Sequence, residues 1–204
     1  MHTDKAAQIE AIAEQVAALE ASPLYDYRQE NGYQPVIGEG SLDADIMFVG
    51  EAPGATEAET GRPFVGRAGQ VLNDLLASIG LEREDVYITN VVLDRPPDNR
   101  DPHVGEIELY TPFLRAQVEV IQPRVIATLG RFAMEFMLGY FDVHEAQGER
   151  ISNLHGTTWT VEVEYGDVTV VPLLHPAAMF YNRSLEPEMQ ADFQKVLGEL
   201  VTAA

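Results

Sequence analysis

Phe64, Asn90 and His175 each stand in or beside a segment rich in glycine or proline, and each offers a different contact to a flat polar ring. Phe64, between Pro63 and Val65, has a face on which a ring can stack. Asn90 carries an acceptor and two donors, which pair with the edge of a base bearing the complementary pattern. His175, followed by Pro176, can donate to a carbonyl oxygen that gains charge during reaction. Stacking, edge reading and a donor for developing charge together describe recognition of a nucleobase. Each residue also has a plainer reading: Phe64 as core, Asn90 as a cap or turn residue, His175 as a structural histidine, and Glu51 and Glu57 as solvated surface.

The segment GEAPGATEAETGRPFVGRAG (50–69) contains Phe64 and holds five glycines, three glutamates and no lysine. A phosphate loop of the G-x-x-x-x-G-K-[ST] type needs the lysine and the hydroxyl, and both are missing. A dinucleotide loop packs G-x-G-x-x-G into one tight turn, and these glycines are too widely spread for that. What they permit is close approach of backbone to a ligand. Arg62, Arg67, Arg95, Arg100 and Arg183 fall in or beside the loops, which suits an anion as partner.

These residues need a frame. Ile9, Ile12, Val16 and Leu19 form one stripe of a helix over about 4–21. SPLYDYRQENGYQPVIGEGSLDA reads as turn-rich connection. DIMFVG (45–50), VYITNVV (86–92) and RVIATLG (124–130) read as buried strands. Val71, Leu72, Leu75, Leu76 and Ile79 predict a helix closed by Gly80. After DRPPDNRDP, Asp101 is expected as N-cap, with Pro102 opening a helix that runs to Ile121 and is kinked or broken at Pro112. RFAMEFML gives a short helix. TTWTVEVEYGDVTVVPLL predicts a hairpin turning at Tyr165–Asp167. Pro187 opens a last helix with Met189, Phe193, Val196, Leu197 and Leu200. Alternating strands and helices predict a three-layer α/β/α sandwich around a central, mostly parallel four-stranded sheet, one domain over 1–204. In such a sheet ligands bind at the carboxyl ends of the strands, where Gly50–Gly54, Asn90, Gly130 and His175 all fall.

The 204 residues suffice for one sizeable core. Thirty-three acidic residues against 13 basic ones give a net charge of −20, and only Lys5 and Lys195 are lysines. Such a surface ordinarily repels nucleic acid, but it also suits a cytoplasm at molar salt, where the Debye length is about 3 Å. We therefore expect a halophilic protein whose net charge concerns solvent more than partner. No apolar stretch is long enough to span a bilayer, and MHTDKAAQIEAIAEQ reads neither as a signal nor as a transit peptide, so a cytoplasmic protein is expected. The sequence has no cysteine, and its five histidines, His2 among them, are scattered. Neither a thiolate-held metal nor a metal cofactor is expected.

GEAPG…GRPFVGRAGQVL, TNVV followed by RPPDNRDP, and LLHPAA resemble the family-4 uracil-DNA glycosylases in order and spacing, over roughly residues 22–200. The resemblance implies a repair enzyme that flips uracil out of DNA and hydrolyses its N-glycosidic bond, leaving an abasic site. It implies that Glu51, Ala52 and Gly54 lie in the water-activating loop and that Phe64 stacks on the base. It further implies that Asn90 reads O4 and N3–H, that His175 donates to O2, and that Asn99 supports the pocket. Arg62, Arg67, Arg95, Arg100 and Arg183 would meet DNA. Met179, Phe180 or Tyr181, in the loop after His175, would enter the duplex. The partner is uracil-containing DNA, and the protein is expected to act as a monomer.

Two features depart from that family. Its members carry four cysteines holding a [4Fe–4S] cluster; the corresponding positions here are Leu19, Ser22, Asp94 and Tyr110. No cluster is expected, and apolar packing by Leu19 and Tyr110 is expected to hold the N-terminal segment in its place. Ala52 stands where some relatives have an aspartate, which leaves water activation to Glu51, Glu57, Asn99 or no strong base; Glu51 is favoured. The competing reading is a paralogue that has lost its cluster and binds uracil, DNA or a nucleotide without cleaving. A nucleotide hydrolase or transferase is disfavoured by the missing phosphate loop.

Overall fold

The computed structural model describes residues 4–198. Two sequence expectations, His2 and Leu200, lie outside the described residues. Four parallel strands form the centre of the sheet: β2 (Ile46–Gly50), β3 (Tyr87–Asn90), β4 (Val125–Leu129) and β6 (Gly166–Leu173). Two antiparallel strands complete it, β1 (Glu39–Gly40) beside β3 and β5 (Trp159–Val163) beside β6. The order is β1-β3-β2-β4-β6-β5, so the sheet is six-stranded and mixed. Four strands were expected; the hairpin arm β5 and the two-residue β1, too short to show a pattern in the sequence, make six.

The central strands β2, β3 and β4 are buried at every position and mostly apolar because both sheet faces are covered, whereas edge strand β5 alternates. Side chains alternate strictly between two cores. Met47, Val49, Tyr87, Ile126, Val168 and Val170 face one side, where they meet α1 (Lys5–Ala17), α5 (Val104–Ile121) and α6 (Arg131–Tyr140). Ile46, Phe48, Ile88, Val125, Ala127, Val171 and Leu173 face the other, against α4 (Arg67–Ser78) and α9 (Glu186–Asp192). That period of two between helix layers is the expected three-layer sandwich.

Three local expectations are corrected. The segment after α1 is not all connection. It contains α2 (Pro23–Asn31), capped by the Ser22 hydroxyl and closed by left-handed Gly32. The long helix starts later than expected: His103, not Asp101, is the N-cap of α5, and Glu106 reaches back to the His103 amide at 2.8 Å. Pro112 lies inside α5 without ending it. Elsewhere α3 (Ala55–Thr60), α7 (Ile151–Leu154) and α8 (Ala178–Tyr181) are short helices between the larger elements.

Parallel pairing brings the carboxyl ends of β2, β3, β4 and β6 to one sheet edge. The chain leaves β2 for β3 on one side and crosses back to β4 on the other. That reversal makes a crevice at the ends of the central strands.

Candidate functional site

Three of the expected residues converge at this crevice. Asn90 ends β3 and is 2% exposed. Phe64 is 7% exposed, and its ring centroid lies 5.8 Å from that of His175, the planes tilted by 36°. Gly50, at the end of β2, is the floor between Asn90 and Phe64: a Cβ there would overlap the Asn90 amide oxygen and come within 2.6 Å of the Phe64 ring. Gly130, after β4, packs against His175, where a Cβ would sit 3.0 Å from the histidine Cβ. Each strand end thus contributes either a reader or the missing side chain that makes room for one.

Phe64 is held in an unusual conformation. Its φ of 48° lies in the left-handed region, which is a genuine outlier for a bulky residue and costs on the order of 1–3 kcal/mol. The surrounding contacts over-determine it. Arg83 donates to the Phe64 carbonyl at 3.0 Å and to the Pro63 carbonyl at 2.7 Å. Glu57 Oε1 accepts from the Val65 amide at 3.0 Å and the Gly66 amide at 2.8 Å. Gly69, in the first turn of α4, lies so close to the Phe64 carbonyl that a Cβ would overlap it. Glu57, one of the candidates for water activation, is therefore the staple of this loop. Arg83 was not foreseen; it is 19 residues from Phe64 and carries no local signal.

The His175 tautomer follows from its contacts. The Ala177 amide donates to Nδ1 at 3.1 Å, so Nδ1 is unprotonated and the ring proton sits on Nε2. Burial lowers its pKa to about 4, which keeps the ring neutral near pH 7. Among buried polar atoms, Asn90 Nδ2 has no hydrogen-bond partner. An unmet buried donor costs about 1–3 kcal/mol, so this one is poised for an acceptor supplied from outside.

Glu51 follows β2 and is half-buried. Its pKa is raised to about 6, by burial first and by Asp101 second, while Arg131 opposes the rise. Arg131 opens α6 directly after Gly130 and lies 3.5 Å from Asp101. It was not among the expected residues, although a cation at the start of the helix after the third central strand lies at this edge by topology alone. Ala52 is half-buried against the α1–α5–α6 core, and Gly54 is the N-cap of α3. Asn99 is exposed, with φ 53°, and its Oδ1 accepts from Arg95 at 2.9 Å.

The expected DNA-contacting residues divide by how they are engaged. Arg62 pairs with Glu39 through two contacts of 2.6 and 2.8 Å. Arg100 holds buried Glu106 in the same two-pronged way, at 2.8 and 2.6 Å. Arg95 also donates to the Tyr33 hydroxyl at 2.6 Å. Arg67 and Arg183 are exposed and have no ion-pair partner among the described residues. Arg67 lies over the Phe180 ring at 4.3 Å. Phe180 is 40% exposed and Tyr181 92%, whereas Met179 packs partly against the core.

The four positions that correspond to cluster ligands do not fit a thiolate-held cluster. Leu19 has no donor atom. Asp94 accepts from Arg28 at 3.0 and 2.9 Å and from the Tyr110 hydroxyl at 2.6 Å. Burial and the neighbouring Asp94 carboxylate push the Tyr110 phenol well above its usual range and keep it protonated. The expected apolar packing is present: Tyr110 is fully buried in the core and Leu19 packs partly buried against the same core. Tyr110 adds polar contacts through its hydroxyl. Among the described residues no three His, Asp or Glu side chains are placed to hold a metal ion.

The family model for the uracil DNA glycosylase superfamily matches residues 37–201. A type-4 uracil-DNA glycosylase of Archaeoglobus fulgidus is 47% identical over 85% of this chain and 84% of its own length. One of Sulfurisphaera tokodaii is 40% identical over 92% and 83% respectively. One of Thermotoga maritima is 42% identical over 87% and 86%. With the family model spanning all six strands and all four strand-end loops, the chain belongs to the uracil DNA glycosylase superfamily.

Proposed function

We propose that this chain removes uracil from DNA by hydrolysing the bond between the base and its sugar. The observation that carries the reading is the buried, unpartnered Asn90 amide beside a strained aromatic ring and a neutral histidine donor. A uracil turned out of the duplex stacks on Phe64, which offsets part of the few kcal/mol, roughly, spent on unpairing and unstacking. Asn90 Nδ2 donates to O4, and Oδ1 accepts from N3–H. Cytosine presents a donor where uracil presents O4 and would meet the amide donor with a donor.

As the glycosidic bond breaks, its electron pair passes to the base and charge gathers on O2. His175 Nε2–H donates there. Because the ring is neutral and stays so, it stabilises the anion without first protonating it. Water adds to the sugar carbon and gives its proton to Glu51, which is largely ionised above pH 6. Arg67, Arg183 and Arg131 meet phosphates, while Arg62, Arg95 and Arg100 brace the loops from which they project. Phe180 and Tyr181, on the short helix α8 just after His175, fill the gap left by the base. The acidic surface is an adaptation to a high-salt cytoplasm, and the described residues include no helix long and apolar enough to cross a membrane.

The test is a cleavage assay in high-salt buffer on an oligonucleotide with a single uracil, followed by alkali to break abasic sites. Wild type should cleave, and His175→Ala should lose about 10²–10³-fold in kcat. Folded wild-type protein that binds the uracil strand at every salt concentration without cleaving it would favour a non-catalytic binding protein.

A further inference from the structure

Four buried side chains from three separate parts of the chain, α2, the exit of β3 and α5, form one continuous network. Arg28, in the last turn of α2, donates through Nη1 to both Asp94 oxygens and to the Val16 carbonyl at 3.1 Å, and through Nη2 to the Ala17 carbonyl at 2.5 Å. Asp94 lies just beyond β3. Tyr110, on α5, donates to Asp94 Oδ2. Ser22, at the start of α2, is 2.9 Å from the Tyr110 hydroxyl and accepts from the Leu24 amide at 3.1 Å. Arg28 and Ser22 are each 3% exposed, Asp94 1% and Tyr110 0%.

The direction of every bond is fixed by its end. A carboxylate only accepts, so Tyr110 donates to Asp94 and must itself accept from Ser22. The sequence of donors runs from the Leu24 amide through Ser22 and Tyr110 to Asp94, and Arg28 closes it with the opposite charge. Every member named has a partner, the condition under which a buried polar network holds one arrangement. Being buried, the ion pair is little screened by salt.

We infer that Ser22, Arg28, Asp94 and Tyr110 are a metal-free clamp that fastens the α1–α2 pair to the exit of β3 and to α5. Three of its four members stand at positions that the family resemblance gives to cluster ligands. The fourth, Arg28, supplies the charge that makes Asp94 tolerable inside the protein. The same segments are joined, by hydrogen bonds and one ion pair instead of by metal–sulfur bonds. This rests on contacts and burial alone and holds whether or not uracil is cleaved.

The test uses the full chain, purified under nitrogen. Iron and sulfide content, visible absorbance and the melting midpoint are measured with and without an iron chelator. The expected result is no stoichiometric iron and a midpoint that the chelator does not move. Tyr110→Phe should lower the midpoint by about 5 °C. Arg28→Met and Asp94→Asn should each lower it by about 10 °C. The double variant should lose less than the sum, because each single change leaves a buried partner uncompensated. If Arg28→Met and Asp94→Asn do not fold, hydrogen exchange in the milder variant decides: Tyr110→Phe should speed exchange in residues 5–31. Stoichiometric iron whose chelation lowers the midpoint would overturn the clamp. So would Tyr110→Phe that leaves both midpoint and exchange unchanged.

Discussion

At the scale of single residues, Glu51 and His175 are both shifted by burial, in opposite senses for their charge. Burial disfavours whichever form is ionised, so it raises the carboxyl and lowers the imidazole. With His175 near 4 and Glu51 near 6, the site holds a neutral donor and an ionised acceptor together above pH 6. The acid limb of kcat/KM should therefore fall near pH 6 and belong to Glu51. Glu51→Gln should remove that limb and lower kcat by about 10²–10⁴-fold. The same shift has a stability consequence. A carboxyl whose folded pKa is raised favours the protonated protein, so stability is lost as pH rises from the ordinary glutamate value through about 6. Glu51→Gln should then stabilise the protein at pH 8 by about 1 kcal/mol, after discounting for its partial exposure, and by nothing at pH 4. Thermal melts of the two proteins across that range would check it. A variant equally stabilised at both pH values would show that packing, not ionisation, is responsible.

At the scale of elements, the loop between β2 and α4 is where backbone strain becomes function. Phe64 sits at positive φ only because Arg83, Glu57 and Gly69 leave it no alternative. Gly69→Ala should displace the Phe64 carbonyl, move the ring off its stacking position and raise KM at least about tenfold, the cost of one lost base–aromatic stack. Glu57→Ala leaves two amides without their acceptor and should produce a similar loss with a lower melting midpoint. Steady-state kinetics beside melting curves would separate the two. The same loop shows what sequence can and cannot reveal. β2, β3, β4 and β6 were legible because strands covered on both faces are mostly apolar, and their pairing then placed Asn90 and His175 on one edge. Phe64 was legible as a ring in an odd place. Glu57 was not, because a carboxylate that staples two amides looks in sequence like any surface acid. Arg83 was hidden by distance along the chain. The helix α2 was hidden because it buries only Leu24 and Arg28, too few apolar positions for a periodic stripe. The Arg28–Asp94 pair joins residues 66 positions apart, and neither type announces burial.

At the scale of the whole molecule, a net charge of −20 must approach another polyanion. Two opposed effects of salt follow. Below about 0.1 M the Debye length exceeds about 10 Å, so acidic surfaces repel one another and repel DNA, and both folding and encounter suffer. Near 1 M that length is about 3 Å and the repulsion is gone, but the phosphate contacts proposed for Arg67, Arg183 and Arg131 would be weakened through lost counterion release. The clamp around Arg28 is buried and responds to neither. The melting midpoint should therefore rise with potassium chloride and level off, while kcat/KM should rise and then decline. The descending limb is set by the arginines: each phosphate contact contributes roughly 0.9 to the slope of log affinity against log salt on duplex DNA. Arg67→Gln with Arg183→Gln should flatten that limb by about 2 and leave the ascending limb, which belongs to the acidic surface, where it was. A double variant with an unchanged descending limb would mean that DNA is held by groups other than Arg67 and Arg183.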